Sequence, residues 1–483
     1  MAKSALALLA AAGLAGCSLA PAYTPPTTQI APVAFQETGP WTPAAPADAA
    51  PRDGWWRVYN DPVLDDLQAQ LTVGNNGLAS AVSRYDQSRA LAAQARAGLF
   101  PEIDFTGTAQ TLRQSENRPL RTGGSGPDTY DNQQIGLAVN YEIDLWGRLR
   151  NLAAASRAQA QASAADLASA ELSLRAELAS NYMLLRGADA QLKLLRSTVE
   201  LYSRAFDLTT ARHEGGASSG LDVGRAETQM RTAKAQIPDV AAQRAVYEHA
   251  IAVLVGRQAS GFTVAAIDGR PAIPHTPVSA PSTLLQRRPD IAAAERRAAA
   301  ANAQIGVARA AMFPTLTLGL NGGYQSSGGV NLLQAPNSFW TLGPGVVLPL
   351  LDEGRRKAQA DFAKAQFNQV SADYRQAVLV AFQAVEDQLA LNNRLAEEAA
   401  EQALAVRAAE RTQDLALTRY QLGAASFLEV VVAQTAALQV EQSALTVQTR
   451  RLQASVNLVR ALGGGWSTHQ LPQTLAAKDR PQG

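Results

Sequence analysis

Apolar positions along the chain follow three different rhythms, and each predicts a different element. Helical spacing starts near Asp61-Pro62 and holds to about Leu99, where it breaks at "ARAGLFP". Phe100 precedes Pro101, and the proline ring pushes its neighbour towards β geometry, so the helix must stop there. Strict alternation follows in "QIGLAVNYEIDL". Ile135, Leu137, Val139, Tyr141, Ile143 and Leu145 fall on one face, with Gln134, Gly136, Ala138, Asn140, Glu142 and Asp144 on the other. A period of two over about ten residues is the weak signature of an outer-membrane barrel strand. From about Arg148 to Arg212 the spacing becomes 3-4-3-4 through Leu185, Ala188, Leu192, Leu195, Val199, Tyr202, Phe206 and Thr209. That is the seam of coiled-coil-like packing, on a helix of roughly 100 Å at ~1.5 Å per residue. Gly216 suits the left-handed position that ends such a helix, and a second helix returns from about Asp222 to Leu254.

The whole order then recurs. "ARAAMFP" repeats the first break, with Pro314 lying 213 positions after Pro101, and "TLTLGLNGGY" alternates through Leu316, Leu318, Leu320 and Tyr324. From Gly147 onward the offset is 207 without a gap. It pairs Gly147 with Gly354, Arg148 with Arg355, Asp207 with Asp414, Arg212 with Arg419, Gly216 with Gly423, Leu221 with Leu428, Val223 with Val430 and Gly256 with Gly463. Identities at one fixed offset over roughly 110 residues make the chain two tandem copies of one unit.

The predicted fold is therefore mainly α with a membrane β-barrel, each repeat giving two strands and long coiled-coil-like helices. The predicted organisation is a signal peptide over 1–16, a tether over 17–55, a first repeat over 56–258, a linker over 259–286, a second repeat over 287–466 and a tail over 467–483. Strands are expected near 102–112 and 132–145 in the first repeat, and near 314–325 and 338–350 in the second. Helices this long cannot fold back into a compact domain and must form a bundle or tube. Four strands cannot close a barrel in hydrocarbon, because open edges there leave backbone groups unpaired. Several chains must share one barrel: two would supply eight strands and three would supply twelve.

Composition narrows the partners. Lys plus Arg number 43 against 42 for Asp plus Glu, so no charge excess points to nucleic acid. The apolar fraction of 47% is largely alanine, as closely approaching helices require. No run beyond the N-terminus reaches the roughly 18 strongly apolar residues of an ordinary transmembrane helix. The histidines, His213, His249, His275 and His469, are scattered, and a lone cysteine makes neither a disulfide nor a CxxC site, so no metal or cofactor is predicted. That cysteine, Cys17, ends "LAGC" behind Lys3 and a short apolar run, the layout of a cleaved signal. It resembles the bacterial lipobox, which implies lipidation of Cys17. With Ser18 next, and not the Asp of an inner-membrane retention signal, the outer membrane is favoured.

One motif suggests an enzyme. "GGASSGLDV" contains G-x-S-x-G, the elbow of serine hydrolases, with Ser218 as nucleophile. An elbow needs a strand-to-helix turn. Here the serine lies between two long helices, and the second copy carries Ala425 in place of Ser218 and Phe427 in place of Gly220. A lipid-anchored hydrolase is set aside on that ground. A periplasmic lipoprotein without a pore is disfavoured by the alternating β segments.

Taken together, "WWRVYNDPVLDDL" (55–67), "IDLWGRLR" (143–150), "RRPDIAAAERRAAAANAQIGVARAAMFPTLTL" (287–318) and the paired "RHEGGASSGLDV" and "RYQLGAASFLEV" resemble the outer membrane factor family. These are the TolC-like exit ducts of tripartite efflux systems, and the match is to their lipoprotein branch. The resemblance covers nearly the whole mature chain. It implies a homotrimer with a twelve-stranded outer-membrane barrel and a twelve-helix periplasmic tube, no enzymatic activity, and no cofactor. Its partners would be outer-membrane lipid, a periplasmic adaptor and an inner-membrane transporter, of the RND type, serving multidrug resistance. It also implies a periplasmic gate at the two tips: Asp222 and Glu429 as acidic rings, with Arg212, Arg419 and Tyr420 as supports and Gly216 and Gly423 in the turns. Without it, Asp222 and Glu429 read as helix N-terminal carboxylates favoured by the dipole. Two departures stand out: His213 where the second copy has Tyr420, and Ala425 where some relatives place a gate arginine.

Overall fold

The computed structural model describes residues 18–28, 35–37, 54–115, 129–267, 272–274, 287–328 and 331–472. The predicted signal peptide, Cys17, most of the tether, much of the linker with His275, and the end of the tail lie outside the described residues.

Asp61 starts the first helix, α1 (Pro62–Gly74). Its carboxylate accepts from the N–H groups of Val63 (3.0 Å) and Leu64 (3.3 Å), and Pro62 fills a first-turn position whose N–H would go unpaired. The single helix expected up to Leu99 is instead two. The chain turns extended at Asn75 and restarts as α2 (Asn76–Ala97). The reason is a contact far along the sequence. The Asn75 amide donates to the Leu254 carbonyl at 2.7 Å while its oxygen caps the Leu78 N–H at 2.8 Å. Gly74 meanwhile presses so close that a Cβ there would sit 2.4 Å from the Val255 carbonyl oxygen.

Beyond the Phe-Pro break come β1 (Glu102–Arg113), β2 (Thr129–Ile143), α3 (Arg148–Glu214) and α4 (Gly220–Leu254). The second copy gives α5 (Pro289–Ala310), β3 (Thr315–Ser326), β4 (Ser338–Val347), α6 (Arg355–Gln421) and α7 (Phe427–Ala461). Repeat partners match in length: α2 and α5 have 22 residues, α3 and α6 have 67, and α4 and α7 have 35. The molecule is mostly helical with one small antiparallel sheet. Among the described residues no helix is long and apolar enough to cross a membrane.

The sheet runs β1-β2-β3-β4, every pair antiparallel. Its register sets Phe105 opposite Leu137 and Ile103 opposite Val139, then Val139 opposite Leu320, and Leu320 opposite Leu342. Opposed residues share a face, so one apolar band crosses all four strands, joined by Tyr141, Leu318, Trp340 and Val346. The other face carries Asp104, Thr106, Asn140, Glu142, Thr317, Asn321 and Thr341. The apolar band is bare: Phe105 is 74% exposed, Ile103 66% and Trp340 77%. β2 ends at Ile143, so Leu145 falls in the turn before α3. There Trp146 stacks on Phe313 and donates to the Pro314 carbonyl at 2.8 Å.

Away from the sheet, α3 packs against α2, α4, α5 and α7, and α6 against α5 and α7. The 3-4 seam of α3 is buried at Leu185, Ala188, Leu192, Leu195, Tyr202 and Thr209, and half-buried at Val199 and Phe206. The largest core cluster lies level with the middle of α3, where Trp55, Trp56 and Tyr59 close over Leu64, Tyr182, Met183, Leu185 and Ile251. "WWR" is thus an anchor to the protein body. The described parts of the tether lie on the helices. Ser18 donates to Asn151 (3.0 Å), Asn302 to the Pro21 carbonyl (2.8 Å), Tyr23 to Glu295 (2.7 Å) and Arg375 to the Thr27 carbonyl (3.0 Å). Phe35 is buried between Val385, Leu389 and Leu458.

Candidate functional site at the paired helical tips

Two turns lie side by side at the end of the molecule away from the sheet. Each is a helix stop followed at once by a helix start. In the first, the Gly216 N–H donates to the His213 carbonyl (2.9 Å) and the Ala217 N–H to the Arg212 carbonyl (2.7 Å). In the second, Gly423 donates to Tyr420 (2.9 Å) and Ala424 to Arg419 (2.8 Å). These paired bonds need a left-handed residue, and both glycines supply it, at φ 74° and 73°. The return helices start from equivalent serines, Ser219 and Ser426. Ser219 caps the Asp222 N–H at 3.2 Å, and Ser426 forms a reciprocal capping box with Glu429.

Apart from the two turn glycines, the tip residues singled out from the sequence divide into three groups. Asp222 is held locally: its carboxylate accepts from Ser219 (2.8 Å) and Ser218 (3.4 Å) and pairs with Arg225 at 3.5 Å. Glu429 pairs with Arg419 at 3.7 Å, both side chains being more than half exposed. Arg212 and Tyr420 join the two hairpins. The Arg212 guanidinium donates to the Tyr420 carbonyl at 2.6 Å and lies 4.7 Å above the Tyr420 ring. Tyr420 is buried, edge-on to Phe427 at 5.2 Å, and its hydroxyl donates to Thr209 at 3.4 Å. Asp222 contacts neither Arg212, Arg419 nor Tyr420. His213, at the position equivalent to Tyr420, turns back onto the Ser218 carbonyl at 2.8 Å.

Sequence reasoning missed Arg225, Phe427 and the capping serines. Arg225 was visible as an i+3 partner of Asp222, and the serines as equivalents at the same 207 offset; Phe427 carried no signal. Beside the turns, α4 and α7 diverge around a groove of about 670 Å³ walled by Leu221, Gly224, Thr228, Ala233, Val431 and Thr435. Tyr202 joins that wall, donating to the Gln434 carbonyl at 2.9 Å; burial pushes its phenol up to about 12. Among the described residues no cluster of His, Cys, Asp and Glu could hold a metal. Ser218 has no histidine or carboxylate arrangement of a hydrolase beside it: His213 meets its carbonyl, and Asp222 already pairs with Arg225.

The chain as a whole has counterparts among known proteins. The profile of the outer membrane efflux protein family matches residues 67–257 and 280–464, one stretch per repeat. The toluene efflux pump outer membrane protein TtgC of Pseudomonas putida is 34% identical over 490 aligned positions, covering all of both chains. The solved outer-membrane channel OprN superposes with a TM-score of 0.86 at 29% identity, over 93% of this chain and 100% of that one. The open state of the MtrE channel of Neisseria gonorrhoeae superposes with a TM-score of 0.81 at 27% identity, over 94% and 99%.

Proposed function

Because the chain belongs to the outer membrane efflux protein family, it is an outer-membrane channel of a tripartite efflux pump, and we propose that it works as a lipid-anchored homotrimeric duct with a gate at its paired tips. The observation that carries the proposal is the bare apolar band across a four-stranded sheet with two open edges. Such edges are untenable in hydrocarbon. Pairing the free edge of β1 with the free edge of β4 on the next chain removes them, and three chains make a twelve-stranded barrel. The polar face of the same strands then lines the lumen, and three sets of helices continue the wall through the periplasm. Lipidation of Cys17 would add acyl chains to the same membrane.

The duct is passive. Substrate comes from an inner-membrane transporter, of the RND type, through a periplasmic adaptor. The small-residue groove between α4 and α7 suits the adaptor's helical hairpin. Gly216, Gly423, Asp222, Glu429, Arg212, Arg419 and Tyr420 form the gate: carboxylates crowd the constriction, while Arg212 and Tyr420 hold one hairpin to the other. The domain scheme follows, with repeats over 56–258 and 287–466 and a linker between them.

Reconstitution tests this reading. The chain should cross-link as a trimer in detergent and conduct weakly in planar bilayers, with conductance rising when Asp222 and Glu429 are both changed to Ala. A preparation that stays electrically silent in both forms overturns the gated duct. Cys17→Ser should lose its lipid and still trimerise; monomer alone would show that strand pairing is not what joins the chains.

A further inference from the structure

The internal repeat bears on the boundary between chains as well as on the fold. β1 and β3 are repeat partners, and so are β2 and β4. In the proposed trimer, pairing β4 with the next chain's β1 therefore copies the β2–β3 pair already present inside one chain. By the same rule, the second hairpin of one chain (α6–α7) meets the first hairpin of the next (α3–α4) as the two hairpins of one chain meet each other. Each contact between hairpins within a chain then has a counterpart at the seam between chains, found by shifting residue numbers by 207.

Within a chain the joint at the tips is sealed. Ala205, Ala226, Tyr420, Phe427 and Val430 form a buried apolar cluster, with Phe206 packed on it. Arg212 holds the Tyr420 carbonyl and ring, and the Tyr420 hydroxyl reaches Thr209. Farther from the turns, Tyr202 donates to the Gln434 carbonyl at 2.9 Å, and the Gln442 amide donates to Gln236 at 2.8 Å.

The seam between chains puts other residues at these positions. Tyr420 and Phe427 become His213 and Gly220, Ala205 and Phe206 become Thr412 and Gln413, and Thr209 becomes Ala416. The aromatic surface whose burial contributes most to the joint is gone. Tyr202 becomes Ala409 and Gln442 becomes Ala235, so those two hydrogen bonds have no donor. Of these ties, the arginine alone is kept. Arg419 stands where Arg212 stands, facing the next chain's His213, and within its own chain it is mostly in water.

Resting on the trimeric duct above, we propose that the tip opens along the seams between chains, with the two hairpins of each chain moving as one unit. Arg419, donating to the His213 carbonyl of the next chain, holds each seam shut. A ring of alternating joints parts first where least is lost, and the buried cluster is missing from every joint between chains.

Two cysteine pairs test this in the full chain, each bridged by a short thiol-specific cross-linker with a reducible spacer. Gln236→Cys with Gln442→Cys locks the joint within a chain. Ala235→Cys with Ser443→Cys locks the seam between chains, and single-cysteine variants control for Cys17. The seam pair should run as a trimer on a denaturing gel and abolish channel conductance until it is reduced. The pair within a chain should run as monomer and conduct as wild type. Installing the missing rings, His213→Tyr with Gly220→Phe, should lower the open probability about tenfold. The proposal is overturned if the lock within a chain stops conduction, if the lock between chains does not, if the seam pair fails to bridge a trimer, or if the added rings leave the open probability unchanged. A wild-type chain that is monomeric in detergent, or a channel silent even with Asp222 and Glu429 both changed to Ala, defeats the trimeric duct itself.

Discussion

Arg212→Met is the substitution that separates the cross-hairpin clamp from the acidic rings. It removes one bond to the Tyr420 carbonyl (2.6 Å) and one cation–π contact (4.7 Å), and it keeps the length of the aliphatic stem. A hydrogen bond from a charged donor contributes ~1.5–3 kcal/mol when shielded, and an exposed cation–π contact ~0.5–1 kcal/mol. Arg212 is only half-buried, and screening reduces the sum to ~1–2 kcal/mol per chain. In the proposed trimer, three chains closing one gate would lose ~3–6 kcal/mol, shifting the closed population by roughly 10²- to 10⁴-fold. By contrast the Arg419–Glu429 pair, at 3.7 Å with both side chains mostly in water, contributes ~0–1 kcal/mol. Glu429→Gln should change little through that pair. The assay is single-channel conductance, with sensitivity of cells to a large antibiotic that enters only through an open duct. Arg212→Lys, which keeps the charge and loses the planar stack, should fall between wild type and Arg212→Met. The reasoning fails if Arg212→Met conducts as wild type does.

Three further outcomes follow from the packing. Gly256→Ala should prevent stable assembly, because its Cβ would meet the Gly74 carbonyl oxygen at 2.0 Å on a left-handed backbone, whereas Gly216→Ala, with nothing within 4 Å, should cost only the backbone term of ~1 kcal/mol; thermal melting compares them. Arg244→Met should lower stability by ~1–3 kcal/mol, because Arg244 bridges Asp189 (2.6 Å), Glu248 (3.2 Å) and the Val264 carbonyl (2.6 Å), while Arg186 still pairs with Asp189 (3.0 Å) and the Val264 N–H with Glu248 (2.6 Å); denaturant unfolding reads this. Burial raises Tyr59 and Tyr202 to about 12, so the stability they carry is full below the ordinary phenol value and lost as pH climbs through about 12; Tyr202→Phe should flatten the alkaline arm of the melting curve.

Much of the fold was legible because the chain states it twice. The Phe-Pro breaks, the alternating strands and the long seam each follow from local rules, and the fixed offset turned weak signals into matched pairs. The break at Asn75 was passed over although Gly74-Asn75-Asn76-Gly77 carries helix-stop and cap residues. The apolar spacing runs across it, and the bond to the Leu254 carbonyl that fixes it joins residues 179 positions apart. The tether misled in the same way: Pro-rich sequence without period reads as free chain, yet Tyr23 and Phe35 find their partners on α5 and α6, at distances no pattern rule reaches.

The tips show where a repeat stops informing. Equivalent positions carry an arginine and an acid in both copies, so the two turns should pair alike, and they do not. Asp222 is one methylene shorter than Glu429, and two serines reach it first. Ser219 recurs as Ser426, but Ser218 has Ala425 as its partner in the second copy and Arg225 has Val432, so these two local competitors for the carboxylate exist only in the first. Arg212 is thereby released to cross to Tyr420, while Arg419 has only the exposed Glu429 and the Ala424 carbonyl. One shortened side chain and two local partners convert a symmetric motif into a directional clamp from the first hairpin to the second. Restoring the symmetry with Ser218→Ala, Arg225→Val and Asp222→Glu should draw Arg212 back towards its own hairpin. Cross-linking between the hairpins should then fall even though every charge at the turn except Arg225 is kept.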